Sequence, residues 1–133
     1  LSVGIAQGAL DLALKYSKER KQFGKSLSEF QGIQFKLSDL AVEVEAARLL
    51  TLRAAKLKDE KKPFAMEASM AKYFASEVAC KATTESLQIH GGYGYMKEFI
   101  IEKLYRDVKL LTIGEGTSEV QKMIIARNLL QMY

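Results

Sequence analysis

The chain has 133 residues, of which 48% are hydrophobic and 27% are charged, and its formal net charge is +4 at pH 7. This length suits one domain, and the composition is typical of a folded globular protein rather than a disordered one. The basic excess is small and scattered, with no basic face that carries interleaved aromatic residues, so the composition argues against nucleic-acid binding.

The first half of the chain predicts two long helices. Apolar residues recur at helical spacing over about residues 3–23, and Gly24 supplies a helix stop. Ser28 with Gln31 forms an S-x-x-Q capping pattern, which predicts a second helix that runs to about Lys58. Its apolar positions form a stripe that we expect in the core: Ile33, Leu37, Leu40, Val44, Ala47 and Ala54.

The second half predicts three more helices. Pro63 marks a helix start because proline is tolerated in the first helical turn, and Gly91-Gly92 ends this third helix. A shorter helix follows over about residues 98–111. The last helix begins near Ser118, where Ser118 and Gln121 repeat the capping pattern. The apolar face predicted for the last helix consists of Val120, Met123, Ile124 and Leu130.

These segments together predict an all-α fold, an antiparallel four-helix bundle with an additional short helix between the third and last helices. No strand is predicted, since the glycine-rich stretch IHGGYGYM is too broken to pair. The chain opens inside an apolar-periodic stretch and has no initiator methionine. We therefore expect one domain over residues 1–133 that belongs to a longer protein.

Cysteine and histidine each occur once, which limits the chemistry available. A single cysteine, Cys80, forms no disulfide within the chain, as is typical of a reducing compartment, and its alanine neighbours favour a small core residue over a nucleophile. One cysteine and one histidine make an ordinary zinc site improbable, and we predict no metal. No apolar run reaches the length of about 18–20 residues that a membrane span needs, and no secretory signal is visible.

The segment ERKQFGKSLSEFQ, residues 19–31, places three basic residues around the predicted end of the first helix. One interpretation is that Arg20, Lys21 and Lys25 complement the helix dipole. The other is an anion site, in which the planar guanidinium of Arg20 binds a phosphate group. The residues alone leave both open.

The segment QIHGGYGY, residues 88–95, has three glycines in four positions. Glycine permits positive φ angles and a close approach of the backbone to a ligand, but the segment does not match the G-x-G-x-x-G fingerprint. A long helix cap and turn is the alternative. His90 alone fits a packing or capping residue better than a catalytic base.

The segment LTIGEGTSEVQ, residues 111–121, places Glu115 between Gly114 and Gly116 just before a helix start. The glycines allow a tight bend, and the free N–H groups of the helix favour negative charge. A pocket carboxylate and an ordinary acid near a helix start are both consistent with this pattern. Thr117 and Ser118 are both candidate caps.

Arg127 lies further along the same helix. Its spacing from Val120 and Ile124 places it on the predicted apolar side, where an unpaired charge is costly. We therefore expect Arg127 to meet a partner or an anion.

Three motifs, RKQFGKSLSEFQ, QIHGGYGYMKEFIIEKLYRD and IGEGTSEVQ, occur in an order and spacing that resembles the acyl-CoA dehydrogenase family. The match covers essentially the whole chain and corresponds to that family's C-terminal helical domain. The resemblance implies that the family's N-terminal helical and middle β domains lie outside this chain. It also implies an FAD-dependent enzyme that dehydrogenates an acyl-CoA thioester between its α and β carbons.

In this resemblance Glu115 matches the catalytic base, which takes the α-proton while a hydride passes to flavin N5. In such an enzyme the cofactor carries the redox chemistry, and the protein supplies position and electrostatics. An apolar pocket that excludes water suits the base, because water then competes little for the proton. Gly116 then lies against the substrate, and Arg127 lies near the base or the CoA.

The resemblance also assigns the cofactor contacts. Residues matched to FAD contacts are Arg20, Phe23, Gln31, Thr117 and Glu119, while Gln88, Gly91 and Gly92 match contacts to the cofactor of a neighbouring subunit. FAD lies at a subunit interface in this family, usually in a homotetramer. The implied partners are an acyl-CoA substrate, further copies of the chain and an electron-transferring flavoprotein. The implied location is the bacterial or archaeal cytoplasm or the mitochondrial matrix, and not the secreted space.

Two positions depart from the family pattern. Ile100 stands where relatives usually have proline, which alters a turn, and Gly114 stands where short- and medium-chain enzymes often have tyrosine. A glutamate at position 115 favours the more common position of the base. Two alternatives stay open: an acyl-CoA oxidase on the same fold, or a helical self-association module that is inactive as an isolated fragment.

Overall fold

The computed structural model describes residues 1–132. Their five α-helices are α1 (Ser2–Glu19), α2 (Gln31–Asp59), α3 (Ala65–His90), α4 (Ile100–Asp107) and α5 (Ser118–Gln131). Short 3-10 helices occupy Leu27–Glu29, Gly91–Tyr95 and Val108–Thr112. The all-α prediction is confirmed. Within the described part of the chain, no helix has both the length and the hydropathy that a membrane crossing requires.

The central element is α3, which packs against α1, α2, α4 and α5. Small buried side chains, among them Ala75, Ala79 and Ala82, let the neighbouring helices approach its axis closely. Leu40 and Val44 of α2 and Ile101 of α4 fill the space around them. The site loops described below start from the ends of these tightly packed helices.

The first helix ends earlier than predicted. Residues 21–26 form a hairpin of two antiparallel strands, β1 (Lys21–Gln22) and β2 (Lys25–Ser26). Phe23 and Gly24 form its turn with φ angles of +52° and +81°. Two successive left-handed residues are the signature of a two-residue hairpin turn. The predicted helix to residue 23 and the prediction of no strand are therefore wrong here.

Two predicted helix starts also shift. The capping box is formed by Ser26 and Glu29, and α2 begins at Gln31 after Phe30. The sequence contains two overlapping patterns of the S-x-x-E/Q type, and the hairpin places Ser26 rather than Ser28 at the cap. Pro63 lies before the third helix, which begins at Ala65.

The last helix presents a different face to the bundle than predicted. Its N-cap is Thr117, whose hydroxyl accepts the Val120 N–H at 3.3 Å. Ser118 and Gln121 are buried, whereas Arg127 is exposed. The predicted apolar residues Val120, Met123 and Leu130 are exposed by 42%, 64% and 81%. The apolar side predicted for this helix is thus largely exposed within this chain, and Arg127 is exposed with it.

Candidate active site

The Glu115 loop, residues 113–117, connects the 3-10 helix Val108–Thr112 to α5. Glu115 has a φ of +59° and Gly116 has a φ of +89°. For a residue other than glycine, the left-handed conformation costs about 1–2 kcal/mol. Such strain persists only where surrounding structure imposes it, and it concentrates at functional sites.

Two side chains from distant parts of the chain hold this loop. The Gln121 Nε2 of α5 donates to the carbonyl oxygens of Glu115 and Gly116 at 3.2 and 3.3 Å. The Lys72 Nζ of α3 donates to the Gly116 carbonyl at 2.6 Å. The two peptide oxygens are thereby bound by groups of the bundle, while the Glu115 residue is exposed.

An apolar cavity of about 600 Å³ opens beside this loop, and Glu115 forms part of its wall. Its other lining residues include Val3, Ala54, Ala68, Ala71, Ala75, Leu110, Leu111 and Gly114. Glu115 and Lys72 are the ionisable side chains of the wall. A carboxylate at the edge of an apolar space is suited to take a proton from a bound molecule, because water competes little there.

A second cavity, of about 460 Å³, lies where α1, the hairpin and the 3-10 helix Gly91–Tyr95 meet. We call it the glycine cavity, since Gly91 and Gly92 contribute backbone to its wall. A Cβ atom built on either glycine would have no atom within 4 Å, so the backbone faces open space. The Arg20 guanidinium lies over the Tyr93 ring, 5.2 Å from its centroid.

His90 belongs to the packing beneath the glycine cavity. Its ring stacks on Tyr16 with a centroid distance of 4.2 Å, and its Nδ1 lies 2.7 Å from the Ser86 carbonyl oxygen. Because a carbonyl oxygen only accepts, Nδ1 carries the hydrogen. Burial lowers the pKa of His90, which favours the neutral ring. This is the packing role that the sequence suggests.

A polar cleft of about 360 Å³ lies on the other side of the Glu115 loop. Thr117 and Glu119 line it together with Lys109 and Lys122. Hydrogen bonds from the backbone N–H of Glu119 and from the Thr117 hydroxyl lower the pKa of Glu119, so this carboxylate stays ionised. Glu77 also lines the cleft, so the wall carries two lysines and two carboxylates and is polar without a net charge.

The structure thus distributes the predicted site residues over three spaces. Glu115 lies at the apolar cavity, Arg20, Gly91 and Gly92 at the glycine cavity, and Thr117 and Glu119 at the polar cleft. Four other predicted residues are exposed and line none of these three spaces: Phe23, Gln31, Gln88 and Arg127. Gly116 is half-buried in the Glu115 loop.

Sequence reasoning missed Lys72, and it assigned Gln121 to a capping pattern. Gln121 lies in α5 and contacts the loop, whereas the cap is Thr117. Lys72 carries no local signal, since its partner carbonyl is 44 residues away in the chain. The sequence also did not predict the positive φ angles of Phe23 and Glu115, although the glycine that follows each residue indicated a turn.

Comparison with known sequences places this fold and loop in one family. The family described as "Acyl-CoA dehydrogenase, C-terminal domain" matches residues 1–130. The chain therefore belongs to the acyl-CoA dehydrogenase family.

Individual relatives agree with this assignment. The chain is 59% identical over 131 residues to a probable acyl-CoA dehydrogenase, YngJ, of Bacillus subtilis, covering 98% of this chain and 34% of that protein. It is 55% identical over 130 residues to the caffeyl-CoA reductase–Etf complex subunit CarC of Acetobacterium woodii, again covering 98% of this chain and 34% of the relative.

A solved structure, that of butyryl-CoA dehydrogenase from Megasphaera elsdenii, superposes with a TM-score of 0.96 at 50% identity. The match covers 97% of this chain and 34% of that chain. The chain thus spans about a third of the length of the relatives it matches.

Proposed function

We propose that this chain is the C-terminal domain of an FAD-dependent acyl-CoA dehydrogenase, which forms a double bond between the α and β carbons of an acyl-CoA thioester. The observation that carries the proposal is Glu115, a carboxylate in a left-handed turn at the wall of an apolar cavity. Membership of the family supports the reaction class.

In this proposal Glu115 removes the proton α to the thioester carbonyl. The cavity wall beside it consists mainly of alanine and leucine side chains, so an acyl group bound there displaces water. Exclusion of water makes proton transfer to a carboxylate more favourable, and a positioned base of this kind contributes a factor of about 10²–10⁴. The backbone of Gly116 lies against the substrate. Arg127 is exposed, and we assign it to the negatively charged CoA.

The glycine cavity has features that suit part of an FAD molecule. The glycine cavity has open space above Gly91 and Gly92, and Arg20 supplies a planar cation at its edge. When bound, FAD would accept the hydride that leaves the β carbon. We assign eight residues to FAD contacts: Arg20, Gly91 and Gly92 at the glycine cavity, Thr117 and Glu119 at the polar cleft, and the exposed Phe23, Gln31 and Gln88. Because the glycine cavity and the polar cleft are separate spaces, a second copy of the chain supplies part of the contacts to each FAD.

Self-association is part of the proposal, because a second copy supplies these contacts. Helix α2 carries a row of exposed apolar side chains, and the members Phe35, Val42, Leu49 and Leu52 are exposed by 60%, 70%, 58% and 58%. Their spacing of seven, seven and three residues places them on one side of the helix. Such a row is costly in water and favours burial against another copy. We propose a homo-oligomer, in the intact enzyme a tetramer.

The electron acceptor that we propose is an electron-transferring flavoprotein. Support comes from the relative CarC, which is a subunit of a reductase–Etf complex. The name of the same relative, a caffeyl-CoA reductase subunit, favours a second candidate, an enzyme that runs the reaction in reverse and reduces the α,β double bond of an unsaturated acyl-CoA. Oxygen as the acceptor would make the protein an oxidase, and peroxide formation by the intact protein separates that case. We place the enzyme in a bacterial or archaeal cytoplasm or a mitochondrial matrix.

The test of the base is Glu115→Gln in the intact protein that carries this chain. The amide has nearly the size of the carboxylate but does not take a proton. We expect acyl-CoA oxidation, assayed with butyryl-CoA and an artificial acceptor dye, to fall by about 10²–10⁴-fold or more. The flavin content, measured from the yellow absorbance, should stay unchanged.

Glu98→Gln is the matched control, since Glu98 is an exposed acid outside the three spaces. It should leave turnover at the wild-type level. Near-normal turnover of Glu115→Gln would remove Glu115 from the role of base. The 133-residue chain alone should bind FAD weakly and show no turnover, and a yellow chain with activity would contradict this expectation.

A further inference from the structure

Two side chains that have no role in the proposed function, Lys72 and Gln121, both donate to the Gly116 carbonyl oxygen, and Gln121 also donates to that of Glu115. We propose that Lys72 and Gln121 are positioning residues, which hold the Glu115–Gly116 segment in its left-handed turn and thereby direct the Glu115 carboxylate to the apolar cavity. The proposal rests on the proposed function of Glu115 as the base.

Lys72 is a half-buried residue of α3 that lines the apolar cavity. Its ammonium group donates to the Gly116 carbonyl oxygen at 2.6 Å, and none of the ion pairs within residues 1–132 includes it. A hydrogen bond from a charged donor is stronger than one between neutral groups. The Lys72 ammonium group in the cavity wall therefore binds the backbone of the Glu115 loop and not a carboxylate.

Gln121 holds the same segment from α5, whereas Lys72 holds it from α3. Gln121 is buried, with 7% of its surface exposed, and its side-chain amide donates to the Glu115 and Gly116 carbonyl oxygens. Burial of an amide is costly unless its hydrogen bonds are made, so the arrangement favours one loop conformation. A Cβ atom on Gly116 would lie 2.8 Å from the Gln121 Nε2. The contact thus depends on the absence of a side chain at position 116.

Release of these contacts would leave the strain of Glu115 without its tertiary support. A residue with a φ of +59° then relaxes toward negative φ, and the direction of its Cα–Cβ bond changes. A displacement of about 1 Å at a reacting group can reduce a rate about 100-fold. Loss of either contact should therefore reduce kcat far more than it changes KM.

The test uses Lys72→Met and Gln121→Met in the intact protein. Lys72→Arg keeps the cation and the donor, and Gln121→Asn keeps a shorter amide, so these variants serve if a methionine disturbs folding. Lys81→Met is the matched control for the lysine, because Lys81 is an exposed residue of the same helix that pairs with Glu43 and lines none of the three spaces. Gln131→Met, at the far end of α5, is the control for the glutamine.

Two measurements are made on each variant. Amide hydrogen exchange of residues 110–122 reports the loop without requiring activity, and kcat and KM with butyryl-CoA report the base. We expect faster exchange in both methionine variants, a kcat lower by at least about tenfold, a KM within about threefold and an unchanged flavin content. Lys72→Arg should recover most of kcat, and both control variants should match wild type.

Unchanged exchange in Lys72→Met and Gln121→Met would overturn the proposal, even if activity falls. Faster exchange with unchanged kcat would overturn the claim that these contacts direct the Glu115 carboxylate to the cavity. If the wild-type protein oxidises no acyl-CoA, the proposed function fails. The exchange measurement still decides whether Lys72 and Gln121 hold the loop.

Discussion

The turn of the hairpin and the Glu115 loop share nearly the same backbone but differ in what holds it. Phe23 and Gly24 have φ angles of +52° and +81°, and Glu115 and Gly116 have +59° and +89°. The hairpin closes locally, with Gln22 paired to Lys25 across the turn. The Glu115 loop has no such pairing and is held by side chains of α3 and α5.

The two turns offset the same conformational cost in different ways. A non-glycine residue in the left-handed conformation costs about 1–2 kcal/mol in either turn. The hairpin offsets that cost with its own backbone, whereas the Glu115 loop depends on a buried amide and a half-buried cation. A backbone conformation that is locally unfavourable and is held by residues from distant parts of the chain is typical of functional sites.

The largest effect that separates the two turns should come from alanine at their glycines. Gly24→Ala introduces only backbone strain, because a Cβ there meets no atom within 4 Å, and should cost about 1–2 kcal/mol. Gly116→Ala adds the 2.8 Å contact with Gln121 and the loss of its hydrogen bonds. It should cost about 2–4 kcal/mol, as measured by urea denaturation. Equal losses would show that the Glu115 loop is as local as the hairpin.

An intermediate effect should come from pH, which acts on the hairpin side of the molecule through His90. Burial lowers the pKa of His90 below its ordinary value of 6.5, so the unfolded state binds the proton more readily. Stability from this residue is complete above pH 6.5, falls as the pH decreases below it, and stops falling below the folded pKa.

The measurement is the free energy of unfolding between pH 7.5 and 5, in wild type and in His90→Gln. Wild type should lose more stability than the variant over this range, because only wild type has a buried imidazole with a lowered pKa. Parallel curves would remove His90 as the source. In this scheme acid weakens the packing of His90 under the glycine cavity.

The sequence predicts most of the fold because helices follow local periodicity. In the stripe predicted for α2, Leu40, Val44, Ala47 and Ala54 are all buried. The hairpin was missed because each strand has two residues, which is too short for any alternation to appear, and because Phe-Gly is not a favoured turn pair. Two residues per strand carry no pattern, so the register follows from the turn.

The loop support was missed for a different reason. Lys72 contacts a carbonyl that is distant in sequence, and such a contact follows from tertiary packing alone. Gln121 matched a local capping pattern, but its amide is used across the loop instead. The apolar residues of α5 were predicted to face the bundle, yet Met123 and Leu130 are exposed within this chain. Burial of these side chains and of the exposed apolar row on α2 would require a surface outside these residues, such as the second copy that we propose.

The smallest effect, and the one that sharpens the comparison most, is expected from Phe23→Asn. Phe23 is 93% exposed, so its ring adds little to stability, and asparagine before glycine is the preferred pair for this turn. The variant should gain about 0.5–1 kcal/mol in urea denaturation. If Phe23 contacts the flavin as proposed, the same variant should bind FAD more weakly. A gain in stability with unchanged FAD affinity would show that the strained backbone at Phe23 is not needed for cofactor binding. A loss of stability would show that the Phe23 ring contributes packing energy despite its exposure.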